Sequence, residues 1–406
     1  MGSRWSRVAL LLMVAAVVAC PAAAATKSLV VQAGDQERVL VPMSIELPAG
    51  TAKAKLLDGG KEVPCQVAEG KLWWVLDKLA AGATKTYTVE LGAASSAKPD
   101  AVALKHGGEA VDITIGGKPF TTYVFVPKKP CGPQLRRPYF FPVYGPDQVT
   151  TTRPYPLTTD IPANVAKDHP HHNSIYVAYG SVNGVDNWSI SPKAGWIVHK
   201  SFDAVAGGAV MGMFRESLDW TTVDKKPVMA ETRTARVYAL PDDVRLLDLE
   251  IVFEAKYGEV KFGDTKEGGI CATRMRPEFR NDKRGAKGRL VNDSGQTGGA
   301  TWGKKSAWVD ASGEVGGTRY GYAIFDTPGN LRHPTTWHSR TYGLLTANCF
   351  GLSHFTRKKE RGDYTLESGK TLTFRYRIYF HRGDEKEAQV AARFADWAHA
   401  PRASLK

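Results

Sequence analysis

The stretch DHPHH, Asp168 to His172, places three of the chain's ten histidines within five residues. Imidazole changes charge near neutral pH and also ligates metals, so such a cluster suits proton transfer or metal binding. If the segment is extended, residues two apart share a face. His169 and His171 then point one way and His172 the other. Pro170 lacks a backbone donor, which moves the cluster to a strand start or sheet rim rather than a central paired position. Two imidazoles at this spacing make half of a metal site. With His338 they give the candidate set His169, His171 and His338 for a divalent ion such as zinc or calcium. Asp168 is placed to orient an imidazole and fix its tautomer.

A second polar run, Asp326 to Gly351, repeats the pattern with His333, Pro334, Trp337 and His338. Arg332, Arg340 and Asn348 add donors suited to hydroxyls or carboxylates. An aromatic ring beside polar groups can hold a sugar, stacking on its C–H face while hydrogen bonds form around its edge. Trp337 and Trp188 are the candidates for that ring. In KEGGICATRMRPEF, Glu267 precedes a glycine turn, and Arg274 and Arg276 follow on one strand face. Glu267 fits a general acid or base, and Arg274 a grip on an anionic or hydroxylated ligand. His381, at the end of FRYRIYF, either joins the site or caps the sheet.

The elements that must position these residues are strands. SLVVQAG, VDITIGG, TYVFVP, SIYVAYG, GWIVHKSF, RVYALP, LLDLEIVFEA, YGYAIFD and LTFRYRIYFHRG each alternate over a few residues and end in a turn signal. Helical spacing is confined to DEKEAQVAARFADWAHA, with Val390, Phe394 and Trp397 in register. The expected fold is therefore mainly β, an antiparallel sandwich with a short C-terminal helix. Residues 1–25 read as a secretion signal: Arg4 and Arg7, then the apolar VALLLMVAAVVA, then small residues. VVAC resembles a loose lipobox, so Cys20 is a candidate lipid anchor. Residues 26–100 read as a small β unit ending in the polar linker GAASSAKPDA, 101–383 as the main sandwich, and 384–406 as a helical tail.

Beyond the signal, no run approaches the ~20 apolar residues of a membrane-spanning helix. The formal charge of +13 falls to +11 without Arg4 and Arg7. Its basic residues are dispersed, and no nucleic-acid-binding motif is present, so acidic polysaccharide is a better match than nucleic acid. The sequence contains no Walker loop, GxGxxG, GxSxG or HExxH, so no nucleotide cofactor is expected. Cys65, Cys131, Cys271 and Cys349 allow three disulfide pairings, and spacing selects none.

RPYFFPVYGPDQVTTTRPYP, DHPHHNSIYVAYGSVNGVDNW, HPTTWHSRTYGLLTANCFG and YRIYFHRGD together resemble a bacterial family labelled "methane oxygenase PmoA". The resemblance spans nearly the whole chain after the signal. The arginine or glycine usual after DHPHH in that family is here Asn173 and Ser174, so a ligand contact there differs. The family is similar to carbohydrate-utilisation proteins, and its architecture resembles the β-supersandwich of galactose-mutarotase-like, aldose-epimerase-like proteins. That resemblance implies sugar binding on a sheet face, with histidine and carboxylate as acid and base.

The expectation is an exported carbohydrate-active protein, periplasmic or secreted: a hydrolase, lyase or epimerase acting on a sugar or keto-sugar. His169, His171, His172, His338 and Glu267 would be catalytic. Arg274, Arg332, Trp337, Arg340, Asn348 and Trp188 would bind substrate, with Asp168 and His381 supporting them. The rival from another class is a glycan-binding protein without turnover. An oxygenase, as the family label implies, is a third reading.

Overall fold

The computed structural model describes residues 25–128, 130–282 and 286–406. The expected secretion signal up to residue 24, with the candidate anchor Cys20, lies outside the described residues. Two units are built almost entirely from antiparallel strands. In the first, the strands Arg38–Glu46, Lys71–Leu79 and Cys65–Ala68 form one sheet. A second sheet runs in the order Arg402–Leu405, Thr26–Gln32, Thr84–Leu91, Ala54–Asp58, Lys61–Val63. Lys71–Leu79 shows why these residues choose strand: Leu72, Trp74 and Leu76 alternate inward while their neighbours face out. They close a core with Leu29, Val31, Leu56, Tyr87 and Val89.

The larger unit is a sandwich of two long sheets. One has seven strands in the order Leu344–Ala347, Gly268–Arg274, Ile175–Tyr179, Tyr139–Val143, Lys118–Val124, Ala110–Ile115, Val102–His106. The other has eight, in the order Trp196–Ala206, Met211–Thr221, Pro227–Tyr238, Val244–Glu254, Thr371–Arg382, Thr318–Asp326, Trp308–Val315, Arg289–Asn292. Phe120, Phe140, Val177, Ile251, Ile324, Phe374 and Ile378 fill the core that includes both sheets. Every residue of Gly268–Arg274 and of Ile175–Tyr179 is buried, as expected for strands covered on both faces. The mainly antiparallel β architecture expected from the alternation is the one observed.

The chain end does more than form a helix. Val390–Ala398 is helical, and Arg402–Leu405 then pairs with Thr26–Gln32. The C-terminus thus completes a sheet of the first unit, through a pairing between chain ends that local periodicity does not reveal. Gln66 also joins the units, its Oε1 accepting from the backbone of Val210 and Met211. Among the described residues, Cys65, Cys131, Cys271 and Cys349 are free thiols. Among the described residues no helix is long and apolar enough to cross a membrane.

Candidate active site

The candidate residues gather over the outer strands of the seven-stranded sheet. Gly268–Arg274 lies between Ile175–Tyr179 and Leu344–Ala347. One neighbour brings the DHPHH loop. The other brings the hairpin in which Trp337 faces Ala347 and Arg340 faces Leu344. The two histidine segments, far apart in sequence, thus flank a single strand.

The DHPHH segment is a turn, which corrects the extended reading. His169 takes a left-handed conformation, φ 41°, and the His172 amide donates back to its carbonyl at 3.0 Å. The alternation argument therefore does not apply, and His172 is not turned away from its neighbours. Ring centroids lie 5.0 Å apart for His169 and His172 and 4.4 Å apart for His171 and His172. His169 is exposed and stacks on Tyr342 at 5.1 Å. Trp188 is buried against His171 and His172; it packs behind the imidazoles and is not an open sugar platform.

Arginines hold the loop in this shape. Arg153 donates to the carbonyls of Ala166, Asp168 and His169, and Arg137 to that of His171. Asp168 Oδ1 accepts from Arg153 at 2.5 Å and from Arg274 at 2.7 Å, and its Oδ2 lies 3.1 Å from His169 Nδ1. Arg274 also reaches His172 Nδ1 at 3.1 Å. It is fully buried, so it positions Asp168 and His172 and does not grip substrate directly, as its sequence context had suggested.

On the other side, His338 is 4% exposed and its Nδ1 lies 2.8 Å from the Lys266 carbonyl. A carbonyl only accepts, so Nδ1 carries the proton and Nε2 keeps a lone pair. Burial depresses this imidazole to about 4, although the Lys266 carbonyl and Glu267 act against it. Burial likewise takes His171 down to about 3, helped by the Arg137 charge and opposed by Glu267. Partial burial pulls the Glu267 carboxyl up, but its ion pair with Lys266 and the charges of His338 and His171 hold it below its usual range. Glu267 is thus within electrostatic range of one histidine from each segment. The cluster at pH 7 contains neutral imidazoles and an ionised carboxylate.

Several expected participants lie elsewhere. Trp337 is fully buried and donates to the Ser306 carbonyl at 2.8 Å, so it is a core residue and not a sugar platform. Asn348 donates to the carbonyls of Thr265, Lys266 and Gly268 and accepts from the amides of Phe350 and Gly351. It clamps the turn bearing Glu267 and keeps no donor for a ligand. Arg332 donates to the carbonyls of Cys349, Gly362 and Asp363; it lines a separate cavity of about 480 Å³ with His333 and Lys305. His381 belongs to the eight-stranded sheet, buried and 2.7 Å from Asp310, and does not join the site. Among the described residues no three His, Cys, Asp or Glu side chains converge to hold a metal. His169, His171 and His338 are therefore not assembled as a metal triad: the first two belong to the DHPHH turn, and His338 is pinned to Lys266.

Other residues enter that the motifs did not single out. Tyr342 stacks on His169 and lies beneath the guanidiniums of Arg274, at 4.7 Å, and Arg340, at 5.4 Å. Trp302 lies edge-on to His338 at 6.4 Å and is partly exposed. Tyr342 stands inside the quoted HSRTYG run, two residues from Arg340, and that proximity was its only signal. Arg137 and Arg153 each precede a proline in the run RPYFFPVYGPDQVTTTRPYP, which was their only signal, and Trp302 carries none.

Among solved structures, the chain is similar to a glycosyl hydrolase family 38 protein from Enterococcus faecalis, at 8% identity and a TM-score of 0.41. That match covers 94% of this chain and 47% of the other. An alpha-mannosidase from Enterococcus faecalis V583 matches at 9% identity and a TM-score of 0.36, over 94% of this chain and 46% of its own. The chain spans about half the length of either structure. No curated protein matches it, and nothing in these comparisons links it to a methane oxygenase. A family model matches residues 110–395, the stretch that carries all of the site residues above, and the chain belongs to that family, a family of unknown function (DUF6807).

Proposed function

We propose that this is an exported carbohydrate-active enzyme that works by abstracting a proton from carbon, as a lyase or epimerase does. The observation that carries this reading is that the segments bearing His171 and His338 flank one strand, with Glu267 at its start within electrostatic range of both imidazoles. Both imidazoles stay neutral well below pH 7, and Glu267 stays ionised. At working pH each is therefore in the unprotonated form that a base requires, with the imidazoles' basicity reduced by burial. A hydrolase needs a carboxylic acid still protonated near working pH, and the low pKa of Glu267 disfavours that role. His338 is the preferred base, because its Nδ1–H is fixed on a carbonyl and Nε2 is left as acceptor.

In an elimination, Nε2 takes the C–H proton. The released pair forms a C=C bond, and the neighbouring C–O bond breaks with its electrons on oxygen. The Tyr342 hydroxyl, which burial keeps protonated, is the candidate donor to that oxygen. In an epimerisation the carbon is instead reprotonated on its other face. Trp302 beside His338, with Tyr342 and Arg340 at the rim, also suits a second reading, glycan binding without turnover. The oxygenase reading finds no assembled donor set among the described residues.

The test is exchange of carbon-bound hydrogen in D₂O, followed by NMR across a panel of native and oxidised saccharides. Wild type should incorporate deuterium or release an unsaturated product. His338→Gln and Glu267→Gln should each lose at least ~100-fold of that rate, the usual weight of a positioned acid or base, with unchanged melting. Saccharide binding without exchange would move the protein to the second reading.

A further inference from the structure

Beneath the DHPHH turn lie three guanidiniums, those of Arg137, Arg153 and Arg274, at 1%, 2% and 0% exposure. Asp168 is the one carboxylate that any of them hydrogen-bonds, and Arg153 and Arg274 share its single oxygen. Arg137 donates only to main-chain carbonyls, those of His171, Trp188 and Ser189. Asp186 is the other carboxylate in range of Arg137, but it is held by the amides of Trp188 and Ser189 and the Ser189 hydroxyl. At the rim, Lys266 is matched by Glu267. Arg340 is exposed, lies on the Tyr342 ring, and has no carboxylate partner among the described residues. Arg137, Arg153, Arg274, Arg340 and Lys266 thus stand against Asp168, Asp186 and Glu267.

Buried charge without full compensation is costly, and it leaves a field that water does not screen. Burial dominates the shifts of the groups around it, and the neighbouring positive charges add to them. Burial, and then the neighbouring Arg274, brings Arg153 down to about 9. His172 is pushed well down by burial, with His171 and then Arg274 adding to it. A neutral sugar would leave the excess unanswered; an anion seated over it would not.

We infer that the ligand of this site is an acidic saccharide, and that its carboxylate binds at Arg340 over the Tyr342 ring, within the field of the buried arginines. This rests on the carbohydrate reading above and names its substrate class. It also fits the chemistry, because a carboxylate neutralised by guanidinium acidifies the hydrogen on the carbon beside it, which is the proton a neutral His338 could take.

The experiment is calorimetric titration of the mature chain at low ionic strength. Its probes are oligosaccharides of galacturonate, glucuronate and mannuronate, their methyl esters, sulfated oligosaccharides and neutral ones. At least one uronate should bind tenfold or more tighter than its own ester, and added salt should narrow the gap. Arg340→Gln should remove the preference while melting stays unchanged, since this side chain is exposed. Equal binding of acid and ester, or binding of neutral saccharides alone, would overturn the inference and leave the carbohydrate reading standing. Binding of sulfated oligosaccharides without any uronate would overturn the carboxylate. Binding of no saccharide would overturn both.

Discussion

His338 should make the protein lose stability on mild acidification, over a window that ordinary surface histidines do not share. In the unfolded chain its imidazole titrates near 6.5, and in the folded chain near 4. Between those values the unfolded state holds a proton at this position that the folded state refuses. Stability therefore falls as pH falls, with the contribution complete above 6.5 and withdrawn as pH approaches 4. Each pH unit of separation is worth about 1.4 kcal/mol. Integrated from pH 7.5 to pH 5, with one proton taken up only by the unfolded state, the loss from this residue is about 2 kcal/mol.

Urea denaturation followed by tryptophan fluorescence, on wild type and His338→Gln at several pH values in that range, isolates the residue. Glutamine does not titrate and still offers a donor to the Lys266 carbonyl. The other titrating groups, His171 and His172 among them, contribute to both proteins and cancel in the difference. The wild type should lose about 2 kcal/mol more than the variant between pH 7.5 and 5. Parallel pH dependences would show that His338 titrates as a solvated imidazole, and the argument for a neutral, pre-set base would fail with it.

Other perturbations test the framework around the site. Arg274→Met removes a fully buried partner of Asp168 and His172; because Asp168 is partly exposed and keeps Arg153, it should cost about 1–2 kcal/mol, read as a lower urea midpoint, and an unmoved midpoint would refute its role in holding the loop. Asp310→Asn breaks the buried pair with His381 and should cost ~3 kcal/mol, again read as a lower midpoint, yet leave saccharide binding intact at a permissive temperature because that pair belongs to the other sheet; lost binding would place His381 back in the site. Gly269→Ala puts a Cβ 1.4 Å from Thr346 Oγ1 and 2.7 Å from the Ala347 carbonyl. It should prevent Gly268–Arg274 from pairing with Leu344–Ala347, seen as loss of soluble folded protein, and Thr346→Ala should rescue it only partly, because the carbonyl clash remains.

The fold was legible because strand periodicity is local: segments such as SIYVAYG and LTFRYRIYFHRG announce themselves in a few residues, and they became Ile175–Tyr179 and Thr371–Arg382. The pairing of Arg402–Leu405 with Thr26–Gln32 was not, since it joins the two ends of the described chain. The site was legible in the same uneven way. Density of histidine drew attention to Asp168–His172 and to His338, and both lie beside Gly268–Arg274. Roles, however, depend on what a side chain meets. Asn348 and Arg332 each carry the donors of a binding residue, and each directs them at backbone carbonyls. No residue type or spacing encodes a carbonyl as partner, so these side chains read as ligand contacts when they are the scaffold that sets the turns. The converse holds for Tyr342. Nothing in its type marks it out, yet its ring touches His169 and lies under both Arg274 and Arg340. It couples the imidazoles to the charge beneath them, and for that reason any test of acid recognition must pass through this ring.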